Sequence, residues 1–142
     1  MGTDDALWDL YLGAIIDCEI DGRTRCLRGP DAESLPHGAP IFVLTAYNPG
    51  GVDRDQAENE ASERLLEREL SSAGATSWPA LGNSRDGSWS EPGVALADFG
   101  RAEACALGDC YGQLAVYELT AEQVHVVRCV DAEIVRSGVR RS

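Results

Sequence analysis

The chain has 142 residues, 44% of them hydrophobic and 25% charged, which is ordinary for a folded soluble protein and long enough to bury one core. Every basic residue besides the two histidines is arginine, and the net charge of −12 argues against binding nucleic acid by neutralising phosphates. The apolar runs fall well short of the ~20 residues that span a bilayer, and the acidic opening "MGTDDALWDL" lacks the basic region of a signal peptide. A cytoplasmic protein is expected, with no membrane or nucleic-acid partner.

From Thr3 to Ala14 the spacing of Leu7, Leu10, Tyr11 and Ala14 predicts an amphipathic helix with Thr3 as its N-cap. "IIDCEIDGRTRCL" reads as two short strands around Asp21-Gly22, a pair suited to a type I′ hairpin turn. Residues 28–40, "RGPDAESLPHGAP", are rich in proline and glycine and predict a loop. "IFVLTA" is a run typical of a central strand buried on both faces. In "NPGG", Pro49 and Gly50 occupy the positions that a type II turn requires. Asp53 and Gln56 predict a capping box for a helix running to about Ala73, with Gly74 in the left-handed C′ position.

"SWPALGNSRDGSWSEPG" reads as loop or irregular strand, followed by a short strand "VALADF". Arg101 to Cys110 predicts a short helix ending near Gly112. "QLAVYEL" and "VHVVRCV" are strands joined by "TAEQ", and 136–142 is expected to be a flexible tail. This order favours α+β: a single-domain sandwich over 1–142, with a mainly antiparallel sheet and two or three helices packed on it.

The cysteines, Cys18, Cys26, Cys105, Cys110 and Cys129, form no C-x-x-C pair and sit in apolar sequence surroundings. They are expected to be core thiols, with neither metal nor disulfide framework and no cofactor. His125 alternates with Val127 and Cys129 and reads as a satisfied, half-buried histidine.

"TAYNPGG" is the most informative stretch. A strand that enters Asn48-Pro49-Gly50-Gly51 and leaves into a helix start presents free amides, and the two glycines allow close approach of an anion. It matches neither a Walker loop nor G-x-G-x-x-G. Asn59 shares a helix face with Leu66 and Leu70, so its amide needs partners; it either fixes the turn or meets a ligand. Glu91 in "GSWSEPG" becomes a general acid or base if burial raises its pKa, and is otherwise a solvated loop acid. Gln113 opens a strand and points a two-faced amide inward.

"VLTAYNP", the helical Asn59, "SWSEPG" and "YGQLAVYEL" together resemble a family of small bacterial proteins, domain of unknown function 3293. Its pattern is Thr-Ala-aromatic-Asn-Pro, a helical Asn, a Trp/Pro turn with Glu, and aromatic-x-Gln before an apolar strand. The likeness spans about residues 41–130, with Tyr47 where Trp is commoner and Gly93 where Ser is expected. The resemblance implies a bacterial intracellular protein and no particular activity. It groups Thr45, Tyr47, Asn48, Asn59, Glu91 and Gln113.

These readings predict a pocket for a small polar, nucleotide- or amino-acid-like ligand. Tyr47 would stack on it, Asn48, Asn59 and Gln113 would hydrogen-bond it, Thr45 would line it, the amides of Gly50 and Gly51 would meet an anionic end, and Glu91 would handle protons if chemistry occurs. Whether the protein is an enzyme stays open. The alternative, motivated by the net charge, is an acidic module that inhibits or escorts a basic protein partner, although the acids are scattered along the chain.

Overall fold

A computed structural model describes residues 3–142, and of Thr3 and Asp4 the backbone alone. The N-cap expected of the Thr3 side chain and the reading of Met1-Gly2 lie outside the described residues. In chain order come α1 (Thr3–Leu12), β1 (Ile15–Ile20), β2 (Arg23–Arg28), β3 (Ile41–Leu44), a short 3-10 turn (Pro49–Gly51) and α2 (Gln56–Ser72). There follow β4 (Ser77–Asn83), β5 (Ser90–Leu96), α3 (Arg101–Cys110), β6 (Ala115–Leu119), β7 (Gln123–Arg128) and β8 (Glu133–Val139). Among the described residues no helix is long and apolar enough to cross a membrane.

The eight strands form one antiparallel sheet in the order β2-β1-β4-β5-β3-β6-β7-β8, so the fold is α+β as expected. Alternation along the strands divides the core. Phe42 and Leu44 of β3, Val94 and Leu96 of β5, and Val116 of β6 pack with Leu66 and Leu70 of α2 and Ala104 and Cys105 of α3. Ile41, Val43, Ala95 and Leu119 point the other way and cluster with Ile16 and Cys18 of β1 and Leu27 of β2. Side chains from β1 and β6, well separated in the strand order, can share one cluster only if the sheet curls around them. The helices α2 and α3 therefore cover the convex face. The concave face is filled by its own residues and roofed at one rim by α1, whose Trp8 packs with Ala115 and Val126.

At the seam where the curl brings the two edge strands together, Gly29 N–H donates to the Arg140 carbonyl at 2.9 Å. The Arg140 guanidinium, 1% exposed, donates to the carbonyls of Thr120, Ala121, Leu27 and Glu33. A buried cation is tolerable here because several carbonyl dipoles replace its hydration. The segment expected to be a flexible tail is therefore the end of β8 and the plug of this seam.

The hairpin at Asp21-Gly22 has φ of 53° and 76° at its two central residues, the type I′ signature. Strand β3 is buried throughout. Gly74, at φ 70°, ends α2 as a C′ residue, with Gly74 N–H bonded to Ser71 O and Ala75 N–H to Leu70 O.

Four expectations need correction. The Asp53–Gln56 capping box does not form: α2 starts at Gln56 after Asp55, which makes no side-chain cap bond among the described residues. The face of α1 is rotated, with Trp8 buried and Leu10 54% exposed, because the helix packs on the concave rim through Leu7, Trp8, Tyr11 and Leu12. The stretch 77–93, expected as loop or irregular strand, is regular strand on both sides of a turn at 84–89: β4 and β5 pair from Ser77↔Leu96 to Asn83↔Ser90. Finally, Cys110 is exposed and Cys26 half-buried, while Cys18, Cys105 and Cys129 are core thiols.

Candidate functional site

The turn after β3 sits at the end of the curled sheet where β6, β4 and β5 also present their ends. Thr45 Oγ1 donates to Pro92 O at 2.6 Å and accepts from Tyr47 N–H at 3.0 Å. Asn48 takes the left-handed conformation that Asn tolerates, φ 46°. Gly50 follows at φ 70°, ψ 11°, the geometry a type II turn needs at that position, and Gly51 N–H closes it on Asn48 O at 2.9 Å. Gly50 N–H bonds to Gly112 O at 2.7 Å. A Cβ on Gly112 would lie 2.6 Å from Pro49 Cβ, so glycine lets the turn lie flat against the α3–β6 junction.

Asn48 and Asn59 form the centre of a closed network. Asn59 Oδ1 accepts from Asn48 N–H at 2.9 Å and from Arg54 Nε at 3.0 Å, and its Nδ2 donates to Asn48 Oδ1 at 2.8 Å. Asn48 Oδ1 also accepts from Arg54 N–H at 3.0 Å, which leaves Asn48 Nδ2 to donate to Glu91 Oε2 at 3.1 Å. Arg54 Nη2 reaches Ala46 O and Ser62 Oγ. From the other side Gln113 Nε2 donates to Tyr47 O at 2.9 Å, and Gln56 Nε2 donates to Tyr47 Oη at 3.3 Å. Glu63 Oε1 accepts from Ala46 N–H at 2.9 Å.

Beside this network, on the concave face, lies a recess. Its floor is apolar, with Ile16, Val43 and Ala80, and its walls carry Tyr11, Trp89 and Tyr117. Thr45, Glu91 and Gln113 supply its polar lining. Counted out to its mouth, with the open solvent there included, it holds about 470 Å³. Gly93 helps form the wall: a Cβ there would lie 2.4 Å from Leu44 O, so β5 approaches β3 closely only because this residue has no side chain.

Burial pushes the Glu91 carboxyl above its ordinary pKa; the Asn48 hydrogen bond opposes this and the charge of Asp53 adds to it. Burial likewise pushes Tyr11 up to about 12, and raises Tyr117, whose hydroxyl donates to Tyr11 O at 2.9 Å. Trp89 Nε1 is buried with no hydrogen-bond partner among the described residues.

The structure thus brings Thr45, Tyr47, Asn48, Asn59, Glu91 and Gln113 into one connected set, but in two layers. Thr45, Glu91 and Gln113 line the recess, whereas Tyr47, Asn48 and Asn59 stand behind it with their polar atoms engaged by protein partners. Gly50 and Gly51 are exposed and outside the recess. Both their amides are bonded to carbonyls, so they offer no free donors to an anion.

Sequence reasoning did not assign Tyr11, Tyr117, Arg54 or Glu63 to the site. Tyr11 and Tyr117 read as core residues of a helix and a strand, and only the curl of the sheet turns them toward one space. His125 is half-buried and bonds Ser137 Oγ at 2.6 Å, away from the recess. Among the described residues no group of three or more His, Cys, Asp or Glu could hold a metal ion.

A family model described as a protein of unknown function, DUF3293, matches residues 44–116, just over half of the chain. The matched segment runs from the end of β3 into β6. It contains the turn, the network and every polar residue of the recess except Tyr11 and Tyr117. No curated protein and no solved structure matches the chain.

Proposed function

This chain belongs to the DUF3293 family, and we propose that its concave recess binds a small polar ligand, with Glu91 and Gln113 as the groups that read it. One observation carries the reading. Both side chains line the recess and are held by hydrogen bonds from behind, and each keeps one oxygen without a partner among the described residues. Glu91 Oε2 is occupied by Asn48, which leaves Oε1, and Gln113 Nε2 is occupied by Tyr47 O, which leaves its own Oε1. Polar groups so held among aromatic walls are typical of ligand pockets.

In this reading Asn48, Asn59 and Arg54 are positioning residues that fix the carboxyl and the turn. Thr45 holds the strand end against Pro92. If a reaction occurs, Glu91 is the acid/base, since burial raises its pKa above the ordinary carboxylate value.

A thermal-shift screen of the purified protein against amino acids, nucleotides, amines and common cofactors tests this. A ligand at 100 times its Kd stabilises by about 2.7 kcal/mol. The expected result is a rise in Tm that disappears in Glu91→Ala. A rise that persists undiminished in a folded Glu91→Ala protein would place the ligand elsewhere.

A further inference from the structure

We infer that the ligand of the recess presents an organic cation with N–H donors, a primary ammonium or a guanidinium, to Glu91 and Gln113. The inference rests on the recess being a ligand site and adds the chemical class.

The orientation of both amides is fixed by chemistry. Gln113 Nε2 faces two carbonyls, Tyr47 O at 2.9 Å and Tyr111 O at 3.4 Å, so that end is the donor and Oε1 is the open acceptor. Asn48 Oδ1 receives Arg54 N–H and Asn59 Nδ2, so Nδ2 is the end on Glu91. The two open oxygens of Glu91 and Gln113 therefore both ask for donors.

The charge balance points the same way. Among the described residues no Lys, Arg or His lines the recess, so Glu91 has no protein counter-charge there. The guanidinium acting on Tyr117 is that of Arg28, which is turned to the carbonyls of Leu12 and Ser142. Asp53 adds a second negative charge near Glu91. A phosphate or carboxylate entering this space would meet a carboxylate and no cation from the described lining. The Gly50 and Gly51 amides that the sequence offers to an anionic end are already spent.

The walls are also suited to a cation, since Tyr11, Trp89 and Tyr117 are rings whose faces attract positive charge. Trp89 Nε1–H is a single neutral donor and does not offset a carboxylate. The recess opens to solvent at its mouth, so a cationic head can enter while any longer chain stays outside.

The test is an NMR titration of the ¹⁵N-labelled full chain with n-butylguanidinium and n-butylammonium, each beside the neutral n-butanol and butyramide and the anionic butyrate. The expected result is saturable binding of a cation, with movement of the Trp89 indole N–H and the side-chain amides of Asn48 and Gln113. Glu91→Gln, which can still accept from Asn48, should weaken that binding about tenfold or more. The wild-type shifts decide the question even if that variant does not fold. Butyrate or the neutral compounds moving the same signals with equal or greater affinity would overturn the cationic class and leave the binding site standing. No movement of these signals with any compound up to millimolar concentrations would overturn both.

Discussion

Replacing Glu63 with glutamine should remove a pH dependence built into α2. Glu63 is 7% exposed; its Oε1 accepts from Ala46 N–H at 2.9 Å, and its Oε2 is buried without a partner among the described residues. Burial is the largest influence and pushes its pKa up to about 7, against a pull downward from the Ala46 bond and a further push from Glu67. In the unfolded chain the same carboxyl titrates near its ordinary value of about 4.3. Between these two pH values the folded protein keeps a proton that the unfolded chain has released, so stability falls as pH rises through the interval. A shift of this size corresponds to about 3 kcal/mol, fully lost above the folded pKa. The amide of Glu63→Gln would keep an acceptor for Ala46 and carry no charge, so whatever packing penalty it brings is the same at every pH. The difference in unfolding free energy, variant minus wild type, should therefore rise by about 3 kcal/mol between about pH 4.5 and pH 8. Urea denaturation at fixed pH steps, compared at constant m, measures it. Parallel stability profiles for the two proteins would refute the argument, because other titrating groups cancel in the difference.

Two further substitutions probe the network behind the recess and the recess wall. Asn59→Ala deletes both an acceptor and a donor from a residue 2% exposed, leaving Asn48 N–H and Arg54 Nε without the oxygen they share. It should cost about 2–4 kcal/mol and lower Tm by several degrees, so an unchanged melting curve would show the network is dispensable to the fold. Gly93→Ser places a Cβ 2.4 Å from Leu44 O, a backbone atom that yields only if β3 and β5 move apart. A loss of about 1–3 kcal/mol is expected, with exchange of the Val94 and Leu96 amides accelerated; wild-type stability would mean that the two strands separate at no cost.

The strand most legible in the sequence is β3, because burial on both faces leaves a continuous apolar run. The turn chemistry of Asp21-Gly22 and Gly74 is equally local and equally readable. β4 and β5 are hidden by their prolines and glycines, and the structure shows why those residues are tolerated. β1 pairs with β4 only from Ala80 onward, so Pro79 stands beyond that ladder and no hydrogen bond to β1 is lost. β5 pairs with β3 only from Val94, so Pro92 likewise stands past the partner strand, and its carbonyl is taken by Thr45 Oγ1 instead. β8 escapes a sequence reading for a different reason: it is a mostly exposed edge strand of mixed sequence, and what anchors it is Arg140 bound to carbonyls far away in the chain. No periodicity in a sequence reports a contact of that kind.

The same distinction explains the site. Asn59 is identifiable because an amide on the Leu66–Leu70 face of a helix must find partners, and it finds them in the turn, eleven residues back. What it does there depends on which side of the turn faces open space, and that is set by the curl of the sheet. The curl places Asn59 under the convex face with α2, and Glu91 on the concave one. Asn48 spans the two, taking Asn59 on one side and giving its Nδ2 to Glu91 on the other. Its left-handed backbone and the following glycines are what turn the amide across the sheet edge. The stretch that looks like an anion cradle thus uses its amides to build itself. Its product is a carboxyl on the far side of the sheet edge, held through Oε2 with Oε1 left open, and not the anion cradle that the glycines alone suggest.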